Sequence, residues 1–148
     1  MNIQDMKEIT IYTDGACQPN PGKGGWAAVL IWGDYKKEVS GFKQYSTNQE
    51  MELFAVISAL KMLKERCRVK LYTDSGYVSN SINKSWVFAW RRNGWTNSGG
   101  EVKHKELWEE LLELLSKHIV EIIWVKGHAN NLYNNRCDEL AVAAIKNN

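Results

Sequence analysis

Ile9-Thr10-Ile11-Tyr12-Thr13-Asp14-Gly15, near the start of the chain, has a close copy in Val69-Lys70-Leu71-Tyr72-Thr73-Asp74-Ser75. Each stretch is an apolar, β-branched run that stops at an aspartate, the pattern of a strand followed by a turn. Side chains alternate along a strand, so Tyr12 and Asp14 share one face. A simple turn explains either stretch alone. If the two strands are parallel neighbours, however, their carboxylates stand side by side, which requires a shared proton or cation.

The rest of the pattern predicts an α/β fold. We expect strands over residues 8–13, 25–32, 35–45, 69–73 and 119–126, and helices over 48–65, 76–83, 106–117 and 134–146. Three strands followed by alternating helices and strands predict one mixed sheet with helices on its faces. In such sheets, functional residues lie at the carboxyl ends of strands.

Length and composition indicate one globular domain. The chain has 148 residues, 44% hydrophobic and 24% charged, which excludes disordered and fibrous classes. We expect a single domain over residues 1–148, with no separate binding module. There is no apolar run of about 18 residues and no signal peptide, so we expect a cytoplasmic protein. The three cysteines are odd in number and widely spaced, which favours buried fillers over disulfides or a zinc site.

The net charge of +2 hides a strong asymmetry. Residues 84–105, the basic segment, carry five basic side chains and one acid, a net charge of +4 that leaves the remainder at −2. The segment also holds Trp86, Trp90 and Trp95. Cations interleaved with aromatic rings fit a surface that binds a nucleic-acid backbone. A solvated charged face over buried tryptophans is the alternative.

Two acidic residues fall on apolar helix faces. In the first predicted helix, Glu52 lies in the middle of the apolar sector, whereas Glu50 lies in the polar one. In the last helix, Asp138 lies towards the edge of the apolar sector. An inward carboxylate is costly unless it is paired or binds a metal. Asp14, Glu52, Asp74 and Asp138 are therefore candidates for one site, although sequence spacing alone does not bring them together.

If these carboxylates converge, their chemistry follows from the ligand type. A site built only from oxygen ligands suits Mg²⁺ or Mn²⁺, whereas zinc favours His and Cys. Two such cations can activate water on one side of a phosphodiester and stabilise the leaving oxygen on the other. His128, in the loop after the last strand, is a candidate proton carrier near neutral pH. A lone histidine in a loop is also commonly incidental.

Five motifs follow one another along the chain: Tyr12-Thr13-Asp14-Gly15-Ala16-Cys17, Met51-Glu52-Leu53, Tyr72-Thr73-Asp74-Ser75, Trp124-Val125-Lys126-Gly127-His128 and Asn134-Asn135-Arg136-Cys137-Asp138-Glu139-Leu140-Ala141. Together they resemble bacterial type 1 ribonuclease H, over nearly the whole chain. The resemblance implies a five-stranded mixed sheet, three antiparallel strands then two parallel, flanked by helices. It also implies divalent-metal-dependent, two-metal hydrolysis of the RNA strand in RNA–DNA hybrids, leaving 5′-phosphate and 3′-hydroxyl ends.

The resemblance also implies roles for individual residues. It makes Asp14, Glu52, Asp74 and Asp138 catalytic ligands of Mg²⁺, with Mn²⁺ as a possible substitute, and His128 a helper in proton movement or product release. The residues implied to contact the nucleic acid are Cys17, Asn20, Thr47, Asn48, Gln49, Asn80, Trp86, Trp90, Arg91, Arg92, Trp95 and Lys103. We expect a monomer that binds an RNA–DNA hybrid and no membrane.

Several positions depart from the family's common pattern. Gly76 stands where many relatives have Gln, and His104 replaces an Asn of the pocket for a DNA phosphate. Asn130 and Asn135 stand where Gly and Glu are frequent. Three features of the family are therefore left open by the sequence: one polar contact with the substrate, the phosphate pocket, and the motion of the loop that carries His128.

Two other functions compete with this interpretation. A related nuclease that acts on DNA, integrase-like or specific for Holliday junctions, usually presents a different set of acids. Such a nuclease also lacks the combination of features found here, the Thr-Asn-Gln sequence at residues 47–49 together with a Trp-rich segment. A catalytically silent module that only binds hybrids has no need of acids facing phosphates. Hybrid cleavage, compared with hybrid affinity with and without Mg²⁺, separates these functions.

Overall fold

The computed structural model describes residues 5–127 and 131–148. In chain order, the elements are β1 (Glu8–Gln18), β2 (Gly22–Trp32), β3 (Tyr35–Ser46), α1 (Asn48–Lys61), β4 (Arg68–Thr73), α2 (Gly76–Asn83), α3 (Trp86–Arg92), β5 (Thr96–Asn97), β6 (Gly100–Glu101), α4 (Lys105–Lys117), β7 (Ile119–Trp124) and α5 (Leu132–Lys146).

A five-stranded mixed sheet runs in the order β3-β2-β1-β4-β7, which confirms the predicted fold class. The first three strands form antiparallel pairs, whereas β4 pairs in parallel with both β1 and β7. The short strands β5 and β6 form a separate hairpin within the basic segment. The predicted boundaries did not include this hairpin, and they did not resolve α3 as its own helix.

The prediction that Asp14 ends its strand is wrong. β1 continues to Gln18, and Asp14 pairs with Ala27 inside the antiparallel ladder with β2. The parallel ladder between β1 and β4 stops at Tyr12 and Tyr72. The parallel pairing of the two motifs therefore ends at these two tyrosines, where β4 separates from β1. Strand β1 continues to Gln18 because it remains paired with its antiparallel neighbour β2.

Helix α1 begins as predicted and ends four residues earlier. The Thr47 hydroxyl caps it by accepting a hydrogen bond from the amide of Glu50 at 3.2 Å. Its last residue is Lys61 rather than Glu65, because the chain turns through exposed residues 64–66 to enter β4. Strand β2 begins three residues earlier than predicted, and β7 ends two residues earlier.

Helices cover the two faces of the sheet unequally. A large core, which includes Leu53, Val56, Leu71 and Trp108, lies beneath α1, α2 and α4. A smaller cluster of Ala27, Val29, Cys137 and Ala141 joins α5 to β2. The three cysteines are buried and free, as the sequence predicts. Among the described residues, no helix is long and apolar enough to cross a membrane.

Candidate active site

Three carboxylates meet at one end of the sheet. Each of Asp14, Glu52 and Asp74 offers an oxygen, and these oxygens lie within 4.8 Å of one another. They come from three different places: Asp14 from β1, Glu52 from α1, and Asp74 from the link between β4 and α2. We call these three residues the acidic cluster. The sequence predicted each of them as a candidate, and the fold brings them together.

A glycine allows α1 to come close to β1. A Cβ added to Gly15 would lie 2.4 Å from the carbonyl carbon of Met51 and 2.5 Å from the amide nitrogen of Glu52. Any other residue at this position would push the helix away from the strand. The amide of Gly15 also donates a hydrogen bond to Asp14 Oδ1 at 2.9 Å. The Asp-Gly sequence thus brings the Glu52 backbone to the strand and orients the Asp14 carboxylate.

Asp138 belongs to the same cavity but lies outside the tight group. The cavity, of about 240 Å³, is lined by Asp14, Gly15, Ala16, Asn48, Glu52, Asp74, Gly127, Asn134, Asn135 and Asp138. The negative charge of Asp138 helps to raise the pKa of Asp14. Helix α5 therefore presents a fourth carboxylate to the cavity, consistent with the position of Asp138 towards the edge of the apolar face of the helix.

The acidic cluster is electrostatically strained when no cation is bound. Burial, and then the nearby charge of Asp74, raise the pKa of Asp14 to about 7. Burial, followed by the charge of Asp14, raises the pKa of Glu52 well above its usual value. Both shifts arise because desolvated like charges disfavour ionisation.

The donor set fits a divalent cation. Glu52 Oε2 is buried and accepts no hydrogen bond from any residue in the described part of the chain. Buried carboxylate oxygens normally have partners, and a cation bound by the cluster would supply one. All the ligands are carboxylate oxygens, which Mg²⁺ and Mn²⁺ prefer to nitrogen or sulfur. The residues present therefore match a hard divalent ion in both charge and chemistry.

Sequence reasoning missed Asn134 as a member of this site. Asn134 lines the cavity near Asp138, and its Oδ1 is buried without a hydrogen-bond partner among residues 5–127 and 131–148. In the sequence it was only the first residue of a motif, although its position four residues before Asp138 places both residues on one face of a helix and could have identified it.

Three of the predicted nucleic-acid contacts are joined by hydrogen bonds beside the cavity, and two more flank Asn48 at the start of α1. Asn48 Oδ1 accepts a hydrogen bond from the amide of Cys17 at 2.8 Å, and the amide of Asn48 donates to Asn20 Oδ1 at 3.1 Å. Thr47 precedes them as the cap of α1. Gln49 is exposed on the first turn of the same helix. The loop after β1 and the start of α1 thus form one continuous polar edge.

The tryptophans of the basic segment divide between surface and core. Trp86 is 43% exposed, whereas Trp95 is 9% exposed and belongs to the main core. Trp90 packs edge-on against Trp108, with ring centroids 6.0 Å apart. For Trp95, the alternative of a ring buried beneath a charged face is the correct one.

The cations of the basic segment face solvent. Arg91 and Arg92 at the end of α3, and Lys103 beyond the hairpin, are exposed. Asn80 is half-buried in α2, the helix that follows Asp74. Two predicted features, His128 and the departure at Asn130, lie outside the described residues.

Known proteins of similar sequence and structure share one family. A sequence profile of the RNase H family matches residues 6–146. The chain is 56% identical to a ribonuclease H from Acetivibrio thermocellus over 97% of its own length and 98% of the relative's. It is 57% identical to a ribonuclease H from Moorella thermoacetica over 95% and 93% of the two chains.

The fold agrees with the sequence comparison. The crystal structure of LC9-RNase H1, described as a type 1 RNase H with the type 2 active-site motif, superposes with a TM-score of 0.86 at 28% identity. The match covers 96% of this chain and 74% of that one. The predicted resemblance is confirmed, and this chain belongs to the RNase H family.

Proposed function

We propose that this protein is an endoribonuclease that hydrolyses the RNA strand of RNA–DNA hybrids and leaves 5′-phosphate and 3′-hydroxyl ends. The observation that carries the proposal is the acidic cluster, whose three carboxylate oxygens lie within 4.8 Å of one another in a chain of the RNase H family. A protein that only binds nucleic acid gains nothing from buried acids, since they repel phosphates. Metal-assisted hydrolysis of a phosphodiester does need such acids, because they hold the cations.

Asp14, Glu52 and Asp74 would hold the metal, with Asp138 completing the site from α5. We propose Mg²⁺ as the physiological ion and Mn²⁺ as a substitute. Two such ions, when bound, supply the positive charge that activates water and stabilises the leaving oxygen. The chain's own contribution is to fix the carboxylates on β1, α1 and the β4–α2 link, so that little reorganisation is needed when substrate arrives.

The rest of the molecule would position the hybrid. The polar edge formed by Cys17, Asn20 and Asn48 lies beside the acidic cluster, where it can contact the minor groove with its 2′-hydroxyls. The exposed cations Arg91, Arg92 and Lys103 would hold the phosphates of the DNA strand. We propose that residues 1–148 act as one catalytic domain and as a monomer, and that His128 assists proton movement or product release.

A cleavage assay on three matched duplexes tests the proposal. The purified protein is incubated with an RNA–DNA hybrid, an RNA duplex and a DNA duplex of one sequence, with Mg²⁺ or with EDTA. We expect cleavage of the RNA strand of the hybrid alone, abolished by EDTA. End-group analysis should find 5′-phosphates. An intact hybrid in Mg²⁺ would contradict the proposal, and binding without cleavage would favour a silent hybrid-binding module.

A further inference from the structure

Asp74 is the member of the acidic cluster that lies outside regular secondary structure. Strand β4 ends at Thr73, and helix α2 begins at Gly76. Ser75, between Asp74 and the helix, caps α2 by accepting a hydrogen bond from the amide of Val78 at 3.1 Å. The chain is therefore anchored on both sides of Asp74, while neither ladder nor helix holds the residue itself.

Contacts to Asp74 come from the end of β7, some fifty residues later in the chain. The indole Nε1 of Trp124 donates a hydrogen bond to the main-chain carbonyl of Asp74 at 3.2 Å. The amide of Val125 donates to the carbonyl of Thr73 at 2.9 Å. A Cβ added to Gly127 would lie 3.0 Å from Asp74 Oδ2. Residues 124–127 therefore run along Asp74, from its carbonyl to its carboxylate.

Packing alone explains Trp124 poorly. Its side chain is 54% exposed, more than that of any other tryptophan in the described part of the chain. A half-exposed aromatic ring gains little from burial compared with a smaller residue. Its distinguishing group is the ring N–H, a donor that other apolar side chains lack. In this structure that donor is directed at the backbone of a predicted metal ligand.

We propose that Trp124 is a positioning residue for Asp74, and that its N–H fixes the carbonyl so that the carboxylate points towards Asp14 and Glu52. The inference rests on the proposed function, since it takes Asp74 as a metal ligand. Hydrogen bonds outside the ligand shell orient metal ligands, and their loss commonly weakens metal binding or activity about 10–100-fold. Because Trp124 acts through the main chain, we expect a smaller effect, about threefold to tenfold.

The test compares Trp124→Phe, which removes the N–H and keeps an aromatic ring, with the parent protein. Mn²⁺ affinity is measured by calorimetry without nucleic acid, and hybrid cleavage is followed at subsaturating and saturating Mg²⁺. We expect Mn²⁺ to bind about threefold to tenfold more weakly. The kcat should fall at low Mg²⁺ and recover at high Mg²⁺, while KM for the hybrid is unchanged. Trp32→Phe is the matched control, because Trp32 is also exposed, at 43%, and is expected to leave each quantity unchanged.

Two further variants keep the outcome decisive. If Trp124→Phe folds poorly, replacing the Trp124 indole with its benzothiophene isostere removes only the N–H and preserves the shape. Asp74→Asn tests the underlying site and should lose most Mn²⁺ binding. If Asp74→Asn binds Mn²⁺ like the parent, the proposed metal site itself is wrong, whatever Trp124 does.

The opposite results for Trp124 are equally clear. Parent-like Mn²⁺ affinity in Trp124→Phe, beside an Asp74→Asn variant that has lost it, overturns only the positioning role. Parent-like affinity with a raised KM would show that the ring stacks on nucleic acid instead. Parent-like affinity with a lower melting temperature in EDTA would show a purely structural role, and would also overturn the inference.

Discussion

The acidic cluster and the basic segment are built in opposite ways. Asp14 and Glu52 are 7% and 8% exposed, and they lie on a central strand and on the helix packed against it. Arg91, Arg92 and Lys103 project from a short helix and from the region of a hairpin whose strands have two residues each. The chemistry of a metal site depends on fixed distances, whereas attraction to a polyphosphate tolerates variation in position. Rigid burial therefore suits the acidic cluster, and exposure to solvent suits the basic segment.

The tryptophans show how the basic segment keeps its shape. Trp95 inserts into the core, and Trp90 packs against the buried Trp108, while Trp86 stays at the surface. The same residue type thus anchors the segment at two points and remains available to a ligand at a third.

The largest effect is expected from variants that remove one carboxylate of the acidic cluster. Asp14→Asn and Asp74→Asn each remove a proposed cation ligand, and we expect at least about a thousandfold loss of cleavage, or about 4 kcal/mol of transition-state stabilisation. Single-turnover cleavage of a hybrid measures the loss, and circular dichroism checks the fold. Asp34→Asn, at an exposed turn, is the control and should cleave normally. Normal cleavage by either cluster variant would show that its carboxylate is not an essential ligand.

The next effect separates the two kinds of tryptophan in the basic segment. Trp95→Ala should lower the free energy of unfolding by about 3 kcal/mol, because it leaves a cavity in the core. Trp86→Ala should change stability little and weaken hybrid binding by about 1–3 kcal/mol, because a stacking surface is lost. Urea denaturation and a binding titration on both variants measure the contrast. Equal losses of stability in the two variants would contradict the distinction between Trp95 as a core anchor and Trp86 as a nucleic-acid contact.

A third effect, which depends on pH, sharpens the electrostatic description of the acidic cluster. The pKa of Asp14 is raised to about 7 in the folded protein, above its unfolded value near 4. Its stabilising contribution is therefore complete below about pH 4 and is lost as the pH rises to about 7. In EDTA, the parent should lose up to about 4 kcal/mol of stability relative to Asp14→Asn between pH 4 and pH 8, since each unit of difference in pKa corresponds to about 1.4 kcal/mol. Urea midpoints for both proteins measure this difference, and parallel pH profiles would contradict the raised pKa.

The smallest effect concerns the exposed cations. The double variant Arg91→Gln/Arg92→Gln should weaken hybrid binding only a few-fold at low salt and lower the slope of log affinity against log salt by about 1–2. The titration is performed in an Asp14→Asn background to prevent cleavage. Lys36→Gln/Lys37→Gln removes an adjacent exposed pair from β3 and serves as the control. If both double variants change the slope equally, the basic segment has no special part in binding.

Local patterns predicted much of this molecule because the signals were short-range. The helix projection separated Glu52 from Glu50 correctly: Glu52 is buried, whereas Glu50 bonds to Lys43 at 2.7 Å and to Ser46 at 2.6 Å near the surface. The strand at Asp14 was mispredicted because its continuation depends on pairing with Ala27, which lies thirteen residues further along the chain. A turn signal such as Asp-Gly does not reveal that a partner strand overrides it.

What the sequence alone determined was the type of fold, the family and the identity of the four candidate carboxylates, since each depends on periodicity and on motif order. Only the tertiary structure decided that three of the four come within 4.8 Å, that Asp138 lines the same cavity outside this group, and that Trp95 belongs to the core. The same is true of Trp124, whose indole donates a hydrogen bond to Asp74, fifty positions earlier in the chain. The physical reason is that convergence of distant residues is set by strand register and by the close approach of β1 and α1 at Gly15. Neither leaves a periodic mark in the sequence.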